Sequence, residues 1–429
     1  MKNIIRPVTT VIAILLGAIC ADALPASAFK SSSLLSEGHW AEVRTDTTGI
    51  YEISYDQLRQ WGFNDPSKVT VYGYGGVEGA EHSFSASFPD DLRQTPCMHT
   101  ADGRILFFAE GDVRTSVKAT SDNPSSRPQL NYFRNLFDFK AHYFLCEHLK
   151  ADDTETFEVD LITPEPRLKW HYCIDLIENE VQNPDRAGAL YHDRRTGAGE
   201  TITMPFYIHD YFIGEQNNTD TDPSKVPDGV FYLDLAISAN ENLRIRAKVP
   251  DVLSGVSAQQ RLVSKNVIPD RIYDIANVYA TYRTPDREPL TGTVKADFTL
   301  ALPSTASIGY AALDKAYTIY PQTIAPGDRP EMIVNFADEP LSHNILISDA
   351  KEGLEVWNVP DPLAIVRHQT GDYSSYDRSM VFTLDSRLDR LPSRFVIFDP
   401  AAHHRRPEYA GTVANQNLHA MVVPDMIIV

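Results

Sequence analysis

The chain is written mostly in period two. From Val230 to Ser238, Phe231, Leu233, Leu235 and Ile237 alternate with Tyr232, Asp234, Ala236 and Ser238. Leu243, Ile245, Ala247 and Val249 alternate with Arg244, Arg246 and Lys248, and Val294, Ala296, Phe298 and Leu300 alternate with Lys295, Asp297 and Thr299. Met380, Phe382 and Leu384 repeat the pattern. Successive strand side chains point to opposite faces, so each run predicts an antiparallel strand with one face on a core and one toward water. Clusters such as Asp46-Thr47-Thr48-Gly49 and Asn217 to Pro223 read as the turns between strands. The 28 prolines fit a loop-rich β protein better than a helical one.

One short helix is signalled near the start. Ser54 and Gln57 have capping-box spacing ahead of Leu58 and Trp61, and Gly62 is a C-terminal stop. The helix is expected to connect a hairpin, Trp40 to Tyr55, to a strand at Val69 to Tyr74. Gly73, Gly75 and Gly76 follow that strand without a GxGxxG pattern or a following helix, so they read as a turn and not a phosphate loop. Composition shifts near Ala151 to Pro166 and Pro400 to Glu408 divide the chain. The expected segments are a leader at 1–28, an N-terminal β domain at 29–160, a β-sandwich domain at 161–400, and a linker with the beginning of a further domain at 401–429. The expected class is mainly β, with two antiparallel β-sandwich-like domains and few short helices.

The first residues set the compartment. Lys2 and Arg6 precede an apolar run from Val8 to Ile19, and Ala26-Ser27-Ala28 offers a signal-peptidase site. The run is shorter than the roughly 20 residues a bilayer span needs. Ile19 stands before Cys20 where lipidation needs a small residue, so an exported, unlipidated chain is expected. Losing the leader removes two basic residues and one acidic one, taking the formal charge from −19 to −20. That balance argues against nucleic acid and against charge-driven adhesion to anionic lipid. Cys97, Cys146 and Cys173 remain, enough for one disulfide and one thiol, and Cys146 and Cys173 lie in apolar stretches that suit buried small hydrophobes.

Candidate chemistry is sparse. His403 and His404 are adjacent and cannot both face one metal from a regular helix; with Arg405 and Arg406 beside them they read as a solvated linker. Asn218 to Asp222 echoes the start of a calcium loop, but Pro223 stands where glycine is needed, so a polar turn is expected. No HExxH, CxxC, GxSxG or Walker motif occurs. None of the three cysteines follows a small-residue strand-to-loop junction that would expose a thiolate, so a Cys-His dyad is not expected. Trp170, Tyr207 and Tyr211 would line a glycan or protein site if the chain were a free-standing cell-surface binding module, although such aromatics are more often core or rim residues. Val422, Val423 and Met426 to Val429 form an apolar strand signal that either completes a sheet or opens another domain; the parallel-strand character favours the second.

Several segments together resemble a known family. Ser36 to Leu58 (SEGHWAEVRTDTTGIYEISYDQL), Trp61-Gly62-Phe63, and Val71 to Gly76 are similar to the N-terminal region of PorU-type sortases, gingipain-like cysteine peptidases of the type IX secretion system. Gly103 to Gly111, His142 to Leu145, Leu354 to Pro362, Phe395 to Asp399, Val413 to Ala420 (VANQNLHA) and Pro424 to Val429 (PDMIIV) agree with it. Residues 200–340 match only in general character. Arg195 to Glu200 and Asn358 depart from the family pattern.

The resemblance implies removal of C-terminal sorting signals from cargo at the outer-membrane surface of a Gram-negative cell. It also implies transfer of that cargo to a lipopolysaccharide, and attachment through partner proteins of the same system. It further implies that Pro424 to Val429 is the first strand of an α/β caspase-like peptidase domain whose catalytic His and Cys lie beyond it. On that reading no residue here is assigned a catalytic, cofactor-binding or metal role, His419 included, no cofactor is expected, and the chain is the non-catalytic scaffold and docking part.

Overall fold

The computed structural model describes residues 30–76, 90–118, 128–135, 138–147, 156–157, 167–183, 191–214, 226–239, 243–258, 261–263, 273–286, 288–304, 308–337, 343–360, 365–384 and 393–421. The leader, the turn at 217–223 and the apolar run at 422–429 lie outside the described residues, as does most of the shift at 151–166. The class is mainly β, as the alternation indicates.

The first module packs two sheets face to face. One runs in the order Glu408–Val413, Trp40–Thr45, Ala141–Glu147, Val69–Gly73, Gln94–Thr95; the other contains Gly49–Ser54, Arg104–Ala109 and Cys97–His99. Ala41, Val43, Ile53, Phe107, Tyr143 and Leu145 fill the space between them. Trp40–Thr45 and Gly49–Ser54 therefore do not form the expected hairpin; they belong to different sheets and meet at a corner. The corner is held by Tyr51, whose hydroxyl accepts from the Thr47 N–H at 3.3 Å and donates to the Thr47 carbonyl at 3.1 Å. The helix Tyr55–Gln60 matches its signal. Ser54 Oγ accepts from Gln57 N–H, Gln57 Oε1 accepts from Ser54 N–H at 3.1 Å, and Gly62 turns the chain out at φ +96°.

The span 161–400, expected as one sandwich, holds two cores. In the first, Trp170–Glu178, Ile308–Thr323, Gly229–Ala239, Asp274–Arg283 and Ser254–Ala258 form a sheet in that order. It faces the pair Thr201–His209 and Thr293–Ala301, with Phe206, Phe231, Phe298 and Leu233 between them. The second core begins at Ile324. There Glu331–Phe336, Ser393–Phe398, Glu355–Asn358 and Val366–His368 pack on His343–Ile347 and Met380–Leu384 around Val334, Phe382, Phe395 and Ile397. Thr156–Phe157 and Arg167–Leu168 pair in parallel with strands of this third module. Alternation shows that a strand has an inner face but not which sheet it joins, so two cores read as one.

Part of the outer face of the middle sheet is covered as well, while Ile275 and Val256 stay exposed on its far strands. The hairpin Val113–Lys118 and Gln129–Arg134 reaches from the first module and buries Val117 against Tyr317 and Ile319. Arg134 lies at its end, 3.1 Å from Glu178 and 2.9 Å from Glu180.

In the middle core, a Cβ on Gly229 would lie 2.5 Å from Cζ of the fully buried Tyr282. Gly229→Ala is therefore expected to overpack the core and lower stability by about 2 kcal/mol, read as a shift in the urea midpoint.

Candidate functional site at the clasp between the first and third modules

Ser393–Phe398 is the last strand of the third module, and the chain then turns back onto the first. Asp399 Oδ1 accepts from Ala401 N–H at 2.9 Å and the Asp399 carbonyl from Ala402 N–H at 3.0 Å, closing the turn. The next residues run beside Gly49–Ser54, where Glu52 N–H donates to the Arg405 carbonyl at 2.8 Å. Glu408–Val413 then pairs antiparallel with Trp40–Thr45 as the edge strand of the first sheet. Residues expected as linker thus complete the first module.

A buried ion pair fixes this path. The Glu52 side chain is 3% exposed and accepts from Arg104 Nη1 at 2.8 Å and His404 N–H at 3.2 Å. Arg406 Nε donates to it at 3.3 Å, and His403 Nδ1 lies 3.4 Å away. Arg104 uses the rest of its fork on the turn, donating to the Ala402 carbonyl at 2.7 Å, the Pro400 carbonyl at 2.8 Å and Asp102 at 2.8 Å. Burial alone would raise the Glu52 carboxyl, but the bonds from Arg104, the His404 amide, Arg406 and His403 outweigh it and hold the pKa below the ordinary value of 4.5.

A second buried pair ties the first module to the third. Glu110, with no exposed surface, accepts from Arg394 Nη2 at 2.6 Å and from Arg114 Nε at 2.9 Å. Burial opposes its charge, yet the two arginines again leave its carboxyl below the usual range. Around the pair, Ile50, Leu106 and Phe108 meet Trp357, Val359, Val396 and Phe398 in one apolar seam.

Of the run His403 to Arg406, three residues are exposed as a solvated linker would be, and His404 is the exception. His404 is buried with Nε2 2.9 Å from the Asp399 carbonyl, while His403 points outward at 84% side-chain exposure. Arg405 pairs with Glu331 at 2.5 Å, directly over Gly49. Lys140 pairs with Glu408, and Trp61 stacks on Tyr409 with centroids 4.7 Å apart. Composition alone could not reveal this, because Glu52, Glu331, Lys140 and Trp61 all lie more than 70 positions away in sequence. The signal that was present is the single carboxylate of Glu52 inside the apolar run GIYEIS, and Arg104 and Glu110 bracketing ILFFA.

The other candidates fall elsewhere. His419 Nε2 sits 3.0 Å from the Asp90 carbonyl, a structural contact. Tyr211 is buried and stacked on Tyr320, Trp170 is half-buried against Tyr172, and only Tyr207 is exposed, so the three form no aromatic platform. Among the described residues, Cys97, Cys146 and Cys173 form no disulfide. Burial pushes Cys97 and Cys146 up to about 11 and, against the opposing bond with Tyr320, Cys173 up to about 12. Such groups are protonated at neutral pH and make poor nucleophiles.

Compared with solved structures, this architecture is similar to the dimeric latent PorU from Porphyromonas gingivalis, with a TM-score of 0.72 and 21% identity over 92% of this chain. The chain has a PorU-like fold. It covers 35% of the PorU chain, about a third of that protein's length. A likeness to the infectious bursal disease virus Gx strain structure, at TM-score 0.22 and 9% identity over 88% of this chain and 85% of that one, carries no argument. No family model matches the sequence, and no curated protein matches it.

Because the Glu52 carboxyl is depressed in the folded state, it contributes stability that is complete above its unfolded value near 4.5 and is lost as pH falls through the lower folded value. Glu52→Gln is expected to be less stable at neutral pH and to lose less on going to about pH 3.5, measured as urea midpoints at the two pH values. Iodoacetamide at about pH 7.5 is expected to leave all three thiols of the folded protein unmodified and to alkylate them in denaturant.

Proposed function

We propose that this chain is the non-catalytic N-terminal portion of a type IX secretion sortase, a scaffold that fixes where a following peptidase domain leaves the β modules. The observation that carries the reading is the clasp. In a chain with a PorU-like fold, the segment after the third module is drawn back and bonded into the first, so the path out is set by the Glu52 and Glu110 pairs together.

In this role the protein is exported through its leader and held on the outer-membrane surface. Its partners are attachment-complex proteins of the secretion system, and its cargo carries C-terminal sorting signals. A rigid docking part suits the task, because a peptidase that acts on tethered cargo has to be presented at a defined position.

An immunoblot of outer-membrane fractions from the native cells, using antibody to residues 29–150, tests the reading. A surface-accessible band well above the 48.0 kDa of this chain is expected. A band at or slightly below that size, or one confined to the cytoplasm, would overturn it.

A further inference from the structure

Three segments far apart in sequence meet on the outer side of the first module's sheet that contains Trp40–Thr45: 30–36, 90–92 and 414–421. Ser33 caps a short 3-10 turn, Leu34–Ser36. The Asp91 carboxylate accepts from Ser33 Oγ at 3.2 Å and Leu34 N–H at 2.8 Å, and Asp90 Oδ2 accepts from Lys30 N–H at 2.5 Å. Residues 416 and 417 then bond to this segment, called the tail below. Gln416 N–H donates to the Leu35 carbonyl at 3.0 Å, and Asn417 Oδ1 accepts from Ser33 N–H at 3.0 Å. Asn417 Nδ2 donates to Ser32 Oγ at 3.0 Å. Beneath them Leu35, Trp40, Tyr72 and Cys146 form a small apolar cluster joined by Val413.

The two partners are anchored unequally. The tail is secured by the Asp91 carboxylate and by the burial of Leu35. Residues 414–417 have no regular structure, and Leu418 and Met421 are 65% and 60% exposed. Little apolar burial holds this segment, so its position depends on polar bonds to the tail and to Asp90.

We propose that residues 30–36 are a positioning tail that seats residues 414–421, so that trimming or displacing the tail unseats them while the clasp stays closed. Proteolysis that releases residues 30–36 would then change the orientation of whatever follows Met421 from more than 380 positions away in sequence. Its use as a control point rests on the scaffold role proposed above; the coupling itself does not.

Amide hydrogen exchange on the full chain tests the coupling. Among the bonds described, the Asp91 side chain reaches the tail but not 414–421, so Asp91→Ala probes transmission. Exchange at the Gln416 and Ala420 amides is expected to rise at least about tenfold, with the Glu52 amide of the clasp unchanged. Faster exchange at Leu34 with Gln416 and Ala420 unchanged would overturn the proposal. Should Asp91→Ala not fold, Asn417→Ala gives the reciprocal reading. Faster exchange at Leu34, whose amide bonds to Asp91 and not to Asn417, is expected, and no change there would overturn the proposal.

Discussion

The carboxylate of Glu52 decides where the chain goes after its third module. It sits in a strand whose other residues are almost all buried, and burying it alone would be costly. Arg104 neutralises it, and that arginine in turn needs acceptors, which the Pro400 and Ala402 carbonyls supply. The pair can thus be satisfied in full only when residues 400–406 lie across it. A buried pair of this kind adds little net stability over an apolar replacement, but removing one member leaves an uncompensated charge and costs about 3–5 kcal/mol. What it provides is selection of one path for the chain among many of similar apolar burial.

The first module is the hub of the arrangement. Its hairpin lies on the middle sandwich, its Glu110 binds Arg394 of the third module, and its first sheet accepts the strand Glu408–Val413. The three attachments use different means: apolar cover, a buried ion pair, and a backbone ladder. Glu408–Val413 has no fully buried residue, so its place rests on pairing with Trp40–Thr45, on the stack of Tyr409 against Trp61, and on the anchor just before it.

Much of this was legible locally. The capping box at Ser54 and Gln57, the alternation of Phe231 to Ile237 and the stop at Gly62 each depend on neighbours within a few residues, and each is present. Three features were not legible. The corner at Asp46 to Gly49 looks like a hairpin turn because sequence does not say which sheet a strand joins. The boundary between the second and third cores falls between Thr323 and Ile324 without a break in composition. The clasp joins Glu52 to His404 across 352 positions, and at its far end His-His-Arg-Arg has the composition of a solvated loop. The family resemblance pointed to the architecture through the same residues, since Ser36 to Leu58 and Val413 to Ala420 contain strands or bonds of the first module.

The pairing of Trp40–Thr45 with Glu408–Val413 carries the account, and a cysteine pair tests it most directly. Arg44 is flanked by His142 on one side and Glu408 on the other. Such cross-strand neighbours have Cα atoms about 4.5–5.5 Å apart, within reach of a disulfide. Arg44→Cys combined with Glu408→Cys is expected to oxidise as readily as Arg44→Cys combined with His142→Cys. Efficient bonding to position 142 with none to position 408 would contradict the clasp.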